Sequence, residues 1–259
     1  MEQPRPRKNR AASENLGATQ PDIPESGVDA GATQTGYRAD KTGIGRIPSL
    51  YRRPYMAVKR LGDILLSLLL LIPATPIIGL CYIAIKLETK GPAFFVQERP
   101  GYRGQLFKIL KLRTMIVETE RDGRELTDME RITRSGKIIR DCSLDELPQL
   151  YNILLGQMSF IGPRPLLKQY LPYYTPEQMR RHEVLPGLSG WAQVNGRNEL
   201  TWEQKFERDV WYVDHCSLVL DIRIFGMTIR NVLRHQGINA GVNDTMQVFA
   251  GSEGAADEE

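Results

Sequence analysis

Asp145 and Glu146 stand side by side in the stretch Ser143-Leu-Asp-Glu-Leu-Pro-Gln149, at a position that reads as a helix start. A carboxylate there lies in positive potential, which favours its ionised, nucleophilic form. Ser143 and Glu146 also match a capping box, although Pro148 would then cost a hydrogen bond within the helix. Capping accounts for one acid, not for both. Basic residues surround the pair in sequence. Arg134, Lys137 and Arg140 recur at every third position and share a helix surface. Lys111 and Arg113 fall on one side of an extended chain. Arg164 lies between Pro163 and Pro165, whose rings stiffen the backbone around it, as suits a bidentate grip on phosphate. Carboxylates among fixed cations suit phosphate chemistry. The plainer alternatives are a capped helix, a solvated basic face and an arginine in a rigid turn.

The elements that must position these groups are partly legible. Residues 93–115 alternate apolar and polar side chains around Arg-Pro-Gly-Tyr-Arg-Gly-Gln, which predicts a β-hairpin. Residues 116–130 are highly charged and read as a solvated helix or loop. Pro186 to Asn198 is rich in glycine and carries Asn195 and Arg197, a plausible but weak ligand loop. Near the end, Ile222, Phe225, Ile229, Val232 and Leu233 share one helical face, while Arg223, Arg230 and Arg234 cluster on another. That helix either lies on an anionic membrane or packs on the domain.

Ile64 to Ile85 carries no charge over 22 residues. As a straight helix it would measure about 33 Å, enough to cross a hydrocarbon core of about 30 Å. Pro73 and Pro76 interrupt it, and two prolines within one turn can break a helix. Both flanks are basic, with Lys59 and Arg60 before it and Lys86 and Lys90 after it, which suits a hairpin entering and leaving on one face. A span, a re-entrant hairpin and a buried core helix all stay open. Net charge is only +3, and the basic residues lie near apolar segments, so an anionic membrane surface is a better partner than nucleic acid. Cys81, Cys142 and Cys216 lack metal-site or redox spacing and read as isolated thiols. His182, His215 and His235 read as structural or surface groups. The expected organisation is a disordered polar tail over 1–50, a basic flank and membrane helix over 51–90, a catalytic domain over 91–241 and an acidic disordered tail over 242–259.

Taken in order, several motifs form a recognisable set. They are Lys59-Arg60, Thr75-Pro76, Gln97-Glu-Arg-Pro-Gly101, Lys111-Leu-Arg-Thr-Met115, Ser143 to Leu150, Gly162-Pro-Arg-Pro165 and Pro186 to Arg197. The chain resembles the bacterial sugar transferases, the monotopic polyprenyl-phosphate phosphoglycosyl transferases. The resemblance implies an α+β fold, mainly helical with a small hairpin. It also implies a Pro-kinked re-entrant helix at Pro73 and Pro76, amphipathic surface helices, and a place on the cytosolic face of the inner membrane. The implied reaction moves a sugar phosphate from a UDP-sugar to undecaprenyl phosphate and releases UMP. Asp145 matches the family's nucleophile and Glu146 its acidic partner near Mg²⁺. Lys111, Arg140 and Arg164 match basic residues of the active site, with Arg113, Asn195 and Arg197 as further candidates for substrate contact. Larger members carry extra membrane helices ahead of this unit, so a compact form is expected here, and assembly with a second copy stays open. The rival functions are sugar transfer that releases UDP and a non-catalytic membrane-anchored scaffold.

Overall fold

A computed structural model describes residues 54–121, 123–196, 199–233, 249 and 251. The chain opens with a long helix, α1 (Pro54–Glu88), and turns into an antiparallel hairpin of β1 (Phe94–Pro100) and β2 (Leu106–Leu112). The hairpin is the one that the alternation predicted, and its register runs from Phe94 opposite Leu112 to Pro100 opposite Leu106. The charged stretch that follows is largely exposed. It forms a minimal ladder, β3 (Glu120–Arg121) with β4 (Arg124–Glu125), and one helical turn, α2 (Asp128–Arg131). The predicted basic helix is α3 (Arg134–Asp141). Then come α4 (Gln149–Leu154), β5 (Ser159–Ile161), α5 (Pro176–Met179), β6 (Gly187–Ser189) and α6 (Trp191–Val194). Two longer helices close the domain, α7 (Trp202–His215) and α8 (Leu218–Leu233). The fold is thus mainly helical with small sheets, α+β as expected.

The helix α1 runs unbroken through Pro73 and Pro76. Each proline deprives the carbonyl four residues earlier, Leu69 or Ile72, of its helical N–H. Thr75 Oγ1 donates to Leu71 O at 2.7 Å, a back-bond of the kind that bends helices. One stripe of α1, including Ala74, Ile78, Cys81 and Ile85, is buried in the main core with Leu112, Leu150 and Val213. The other faces expose large side chains, Leu80 to 70% and Leu87 to 84%. Both ends of α1 are tied to the domain. Near its start, Lys59 Nζ lies 2.5 Å from Asp221 of α8, and Arg60 donates to Ile153 O and Leu154 O at 2.6 and 2.8 Å. At its end, the Glu88 carboxylate accepts from the backbone of Arg134 and Ser135 at 2.7 and 2.9 Å. It thereby neutralises the N-terminus of α3.

Three readings are sharpened. The glycine-rich stretch from Pro186 brings its backbone against a neighbouring strand. β5 and β6 pair in parallel, and a Cβ on Gly187 would stand 2.1 Å from Gly162 N. Only glycine permits that approach, so these glycines fix how the loop after β5 leaves the sheet. The apolar stripe of α8 faces outward: Ile222, Phe225, Ile229 and Val232 are exposed, while Leu220, Asp221 and Ile224 face in. The acidic tail from residue 242 is not wholly without order. Phe249 is buried among Tyr170, Tyr174, Trp202 and Phe206, with ring centroids 5.1–5.9 Å away. Apart from Phe249 and Gly251, the residues of both tails, with His235, lie outside the described residues. Cys81, Cys142 and Cys216 form no disulfide among the described residues. His182 and His215 each bond a backbone oxygen, Gly101 O and Trp211 O, which fits their structural reading.

Candidate active site

Three segments distant in sequence meet around Glu146. Lys111 comes from the end of β2, Glu146 from the 3₁₀ turn Leu144–Glu146, and Arg164 from the loop after β5. Both Lys111 Nζ and Arg164 Nη2 lie 2.7 Å from the same oxygen, Glu146 Oε1. Burial alone would raise the Glu146 carboxyl, but Arg164 and Lys111 overcome it and hold the group well below the usual carboxylate range.

Each partner is fixed from behind. Arg181 Nη2 donates to Arg164 O at 2.8 Å and, from a buried position, pairs with Asp209 Oδ2 at 2.6 Å. The backbone that presents Arg164 is thus held by a fully buried ion pair. The chain beyond Lys111 is pinned by α3. Thr114 O accepts from Thr133 N at 3.1 Å, and a Cβ on Gly136 would stand 2.0 Å from it, so only a glycine lets α3 dock this closely. The docking brings Arg140 within reach, and its Nε donates to Thr114 Oγ1 at 2.6 Å. Below the turn, Asn152 of α4 binds the hairpin through Leu110 N and Lys108 O, at 3.1 and 2.8 Å. Arg60 of α1 holds the C-terminal carbonyls of α4, as a cation there should. The membrane-type helix therefore braces the element that follows the acidic pair.

Asp145 is different. Among the described residues no hydrogen bond or ion pair engages its carboxylate, although Lys111, Arg140 and Arg164 all act on it electrostatically. Burial raises its pKa, Lys111 pulls it down, and the neighbouring Glu146 charge adds to the rise; the net direction is upward. That direction is opposite to the one a helix start would give. The pair sits in a separate 3₁₀ turn, and α4 begins after Pro148 without a side-chain cap. The capping box does not form either. Ser143 adopts a left-handed φ of 56° and makes no cap bond, and Glu146 turns to its cations instead. A non-glycine residue in that region is strained, and the strain falls directly before the acidic pair.

The remaining sequence candidates separate. Arg113 does not join Lys111. The strand ends at Leu112, and the Arg113 guanidinium donates to Lys90 O and Thr89 Oγ1 at 2.9 and 2.7 Å, locking the exit from α1. Asn195 Nδ2 donates to Trp191 O at 2.8 Å and caps α6. Arg197 lies outside the described residues. Sequence reasoning missed Thr114 as the seat of Arg140, although it lies within the quoted Lys111 to Met115 motif.

Among the described residues no group of three metal-type side chains occurs. Two carboxylates are nevertheless a usual protein share for Mg²⁺, which keeps waters and takes phosphate oxygens. Glu146 Oε1 is already shared by two cations, so the donors that fit are the Asp145 carboxylate and the second Glu146 oxygen. An unpaired carboxylate, a paired one and three nearby cations can together attack and neutralise a phosphoryl group.

The model of the family described as "Bacterial sugar transferase" matches residues 54–235. The chain is 48% identical over 197 residues to the uncharacterized sugar transferase EpsL of Bacillus subtilis, covering 76% of this chain and 98% of that protein. It is 40% identical to the UDP-glucose:undecaprenyl-phosphate glucose-1-phosphate transferase of Caulobacter vibrioides, over 68% of this chain and 69% of the relative. It is 38% identical to the undecaprenyl-phosphate glucose phosphotransferase of Komagataeibacter xylinus, over 75% of this chain but only 40% of that longer protein. The matched region holds α1, the hairpin, the Asp145–Glu146 turn and α8, and the chain belongs to the bacterial sugar transferase family.

Proposed function

We propose that this chain is an undecaprenyl-phosphate sugar phosphotransferase that works through a covalent aspartyl intermediate. The observation that carries the reading is the asymmetry of the acidic pair: one oxygen of Glu146 is engaged by both Lys111 and Arg164, while Asp145 is left uncommitted in the same cationic field. Relatives named for the transfer of glucose 1-phosphate from UDP-glucose to undecaprenyl phosphate supply the substrate class.

In the first step, an Asp145 carboxylate oxygen attacks the sugar-bearing phosphorus of a UDP-sugar. A phosphorus–oxygen bond to Asp145 forms, the bond to the bridging oxygen breaks, and UMP leaves with the electron pair. In the second step, the phosphate of undecaprenyl phosphate attacks the same phosphorus and frees Asp145. Lys111, Arg140 and Arg164 offset the repulsion between anions at both stages. Mg²⁺, held by Asp145 and Glu146, would supply further charge neutralisation on the phosphates. Glu146 keeps Lys111 and Arg164 in place.

The acceptor phosphate lies at headgroup height, so the site must too. Docking of α1 to one domain at both ends supports a re-entrant helix that dips into one leaflet and returns. The exposed apolar faces of α1 and α8 support membrane seating. The basic flanks of α1 support a position of the domain on the cytosolic side of the inner membrane. The product would begin an exopolysaccharide, capsule or O-antigen repeat.

Intact-protein mass spectrometry after incubation with UDP-sugars, without lipid acceptor, tests the proposal. The expected result is a phosphosugar adduct on Asp145 with release of UMP. Release of UDP, or lipid-linked product from Asp145→Asn, would overturn it.

A further inference from the structure

Arg99, in β1, is a cation without an anion. Its Nε is buried and has no hydrogen-bond partner, and its Nη2 donates to the neutral amide of Gln97 at 2.6 Å. Among the described residues no carboxylate lies within ion-pair distance of it. Its electrostatic neighbours are Arg164 and the hydroxyl-bearing rings of Tyr170 and Tyr174. Burial, and then the charge of Arg164, push the Arg99 guanidinium down to about 10. A buried charge is ordinarily paired, and leaving one unpaired beside a like charge costs stability.

The fold nevertheless holds Arg99 where it is. On one side, Glu98 bridges to Lys168 at 2.7 Å and fastens β1 to the 3₁₀ helix Lys168–Tyr173, which carries Tyr170. On the other, buried His182 places its Nδ1 3.1 Å from Gly101 O at the hairpin turn. Arg99 shares one face of the hairpin with Lys111, which stands opposite Phe95, and Arg164 acts electrostatically on Arg99 as well as on Asp145 and Glu146. Lys111, Arg140, Arg164 and Arg99 thus form a run of cations, and Glu146 neutralises only part of it. A single transferred phosphate needs the part nearest Asp145. The Arg99 end suits a second phosphate.

We propose that Arg99 binds the nucleoside-side phosphate of the donor and stabilises the departing nucleoside monophosphate. This rests on the two-step reading above. When Asp145 attacks the sugar-bearing phosphorus, the bridging oxygen keeps the bonding electron pair and becomes a third terminal oxygen of UMP. Negative charge grows there, and Arg99 meets it with its unengaged N–H groups. No proton is transferred. The second step contains no UMP, so Arg99 has no part in it.

That asymmetry supplies the test. In the full chain, Arg99→Gln should weaken UMP binding, measured by calorimetry, at least tenfold. It should slow adduct formation from a UDP-sugar by a similar factor. Transfer from a preformed adduct to undecaprenyl phosphate should stay within about twofold of the parent rate. Arg99→Lys, which keeps the charge but loses the planar fork, should fall between the two. Unchanged UMP affinity in Arg99→Gln would overturn the assignment, as would equal loss in both half-reactions. Failure of the two-step reading itself would show differently, as UDP release or absence of an adduct in the unsubstituted protein.

Discussion

Two polar clusters of this molecule use similar side chains to opposite ends. Around Asp221, one carboxylate accepts from Lys59 at 2.5 Å and from Tyr55 and Tyr212 at 2.7 Å each. Every group there has a partner, and the cluster joins α1 to α7 and α8. Around Asp145, charge is left over on both sides: among the described residues the nucleophile candidate has no hydrogen-bond or ion-pair partner, and Arg99 has no anion. Closed networks hold elements together, because any missing member would strand a buried charge. Open ones are costly and persist where a ligand completes them. The membrane helix shows the same contrast. Its two ends are tied by specific polar contacts, while its middle presents leucines to a nonspecific solvent.

The largest effect should come from the open cluster. Asp145→Asn should abolish the adduct and reduce turnover at least about a thousandfold. Since burial raises the Asp145 pKa, losing its charge should leave the melting temperature unchanged or slightly higher. Intact mass and thermal melts check both. A large loss of stability would place Asp145 among the closed networks and break the comparison.

Asp221→Ala should do the reverse. It strands Lys59 in a largely buried site and should cost about 3–5 kcal/mol of unfolding free energy. Denaturant titration reads this directly, and activity surviving in the folded fraction would confirm a structural role.

Glu146→Gln falls between them. Turnover should drop about tenfold to a hundredfold, because Lys111 and Arg164 lose the anion that orients them. The pH profile adds a signed test. Adduct formation needs ionised Asp145, so its acidic limb should lie above that of an ordinary aspartate. Glu146 is one of the groups raising that pKa, so Glu146→Gln should move the limb to lower pH.

The effect that is smallest near neutral pH, and grows only as the solution turns acid, concerns His182. Burial, then the charge of Arg181, lowers its pKa to about 3, so the folded protein keeps it neutral. Unfolding lets it take a proton below the ordinary histidine value of about 6.5. Its contribution is therefore complete above that pH and lost as pH falls towards 3, by about 1 kcal/mol per unit. His182→Gln should flatten that part of the stability curve.

Local rules carried much of this structure. Alternation located the hairpin, the three-residue spacing of basic residues located α3, and adjacency marked Asp145 and Glu146. They failed where the partner was remote. Lys111 and Arg113 look equivalent in an extended chain, yet the strand ends between them and they serve different neighbours. The apolar stripe of α8 was legible, but not that it faces outward. Arg99 stood in a quoted motif, and nothing local shows that it is half-buried, its Nε fully so, without a counter-ion.

The sequence by itself determined the element types, the family and the acidic pair, because periodicity, turn chemistry and motif order act over a few residues. Tertiary structure decided the division of labour within that pair. Lys111 and Arg164, 35 and 18 residues from Glu146, both reach its Oε1 and leave Asp145 free. Coulomb attraction depends on distance in space, and only the packed chain sets that distance.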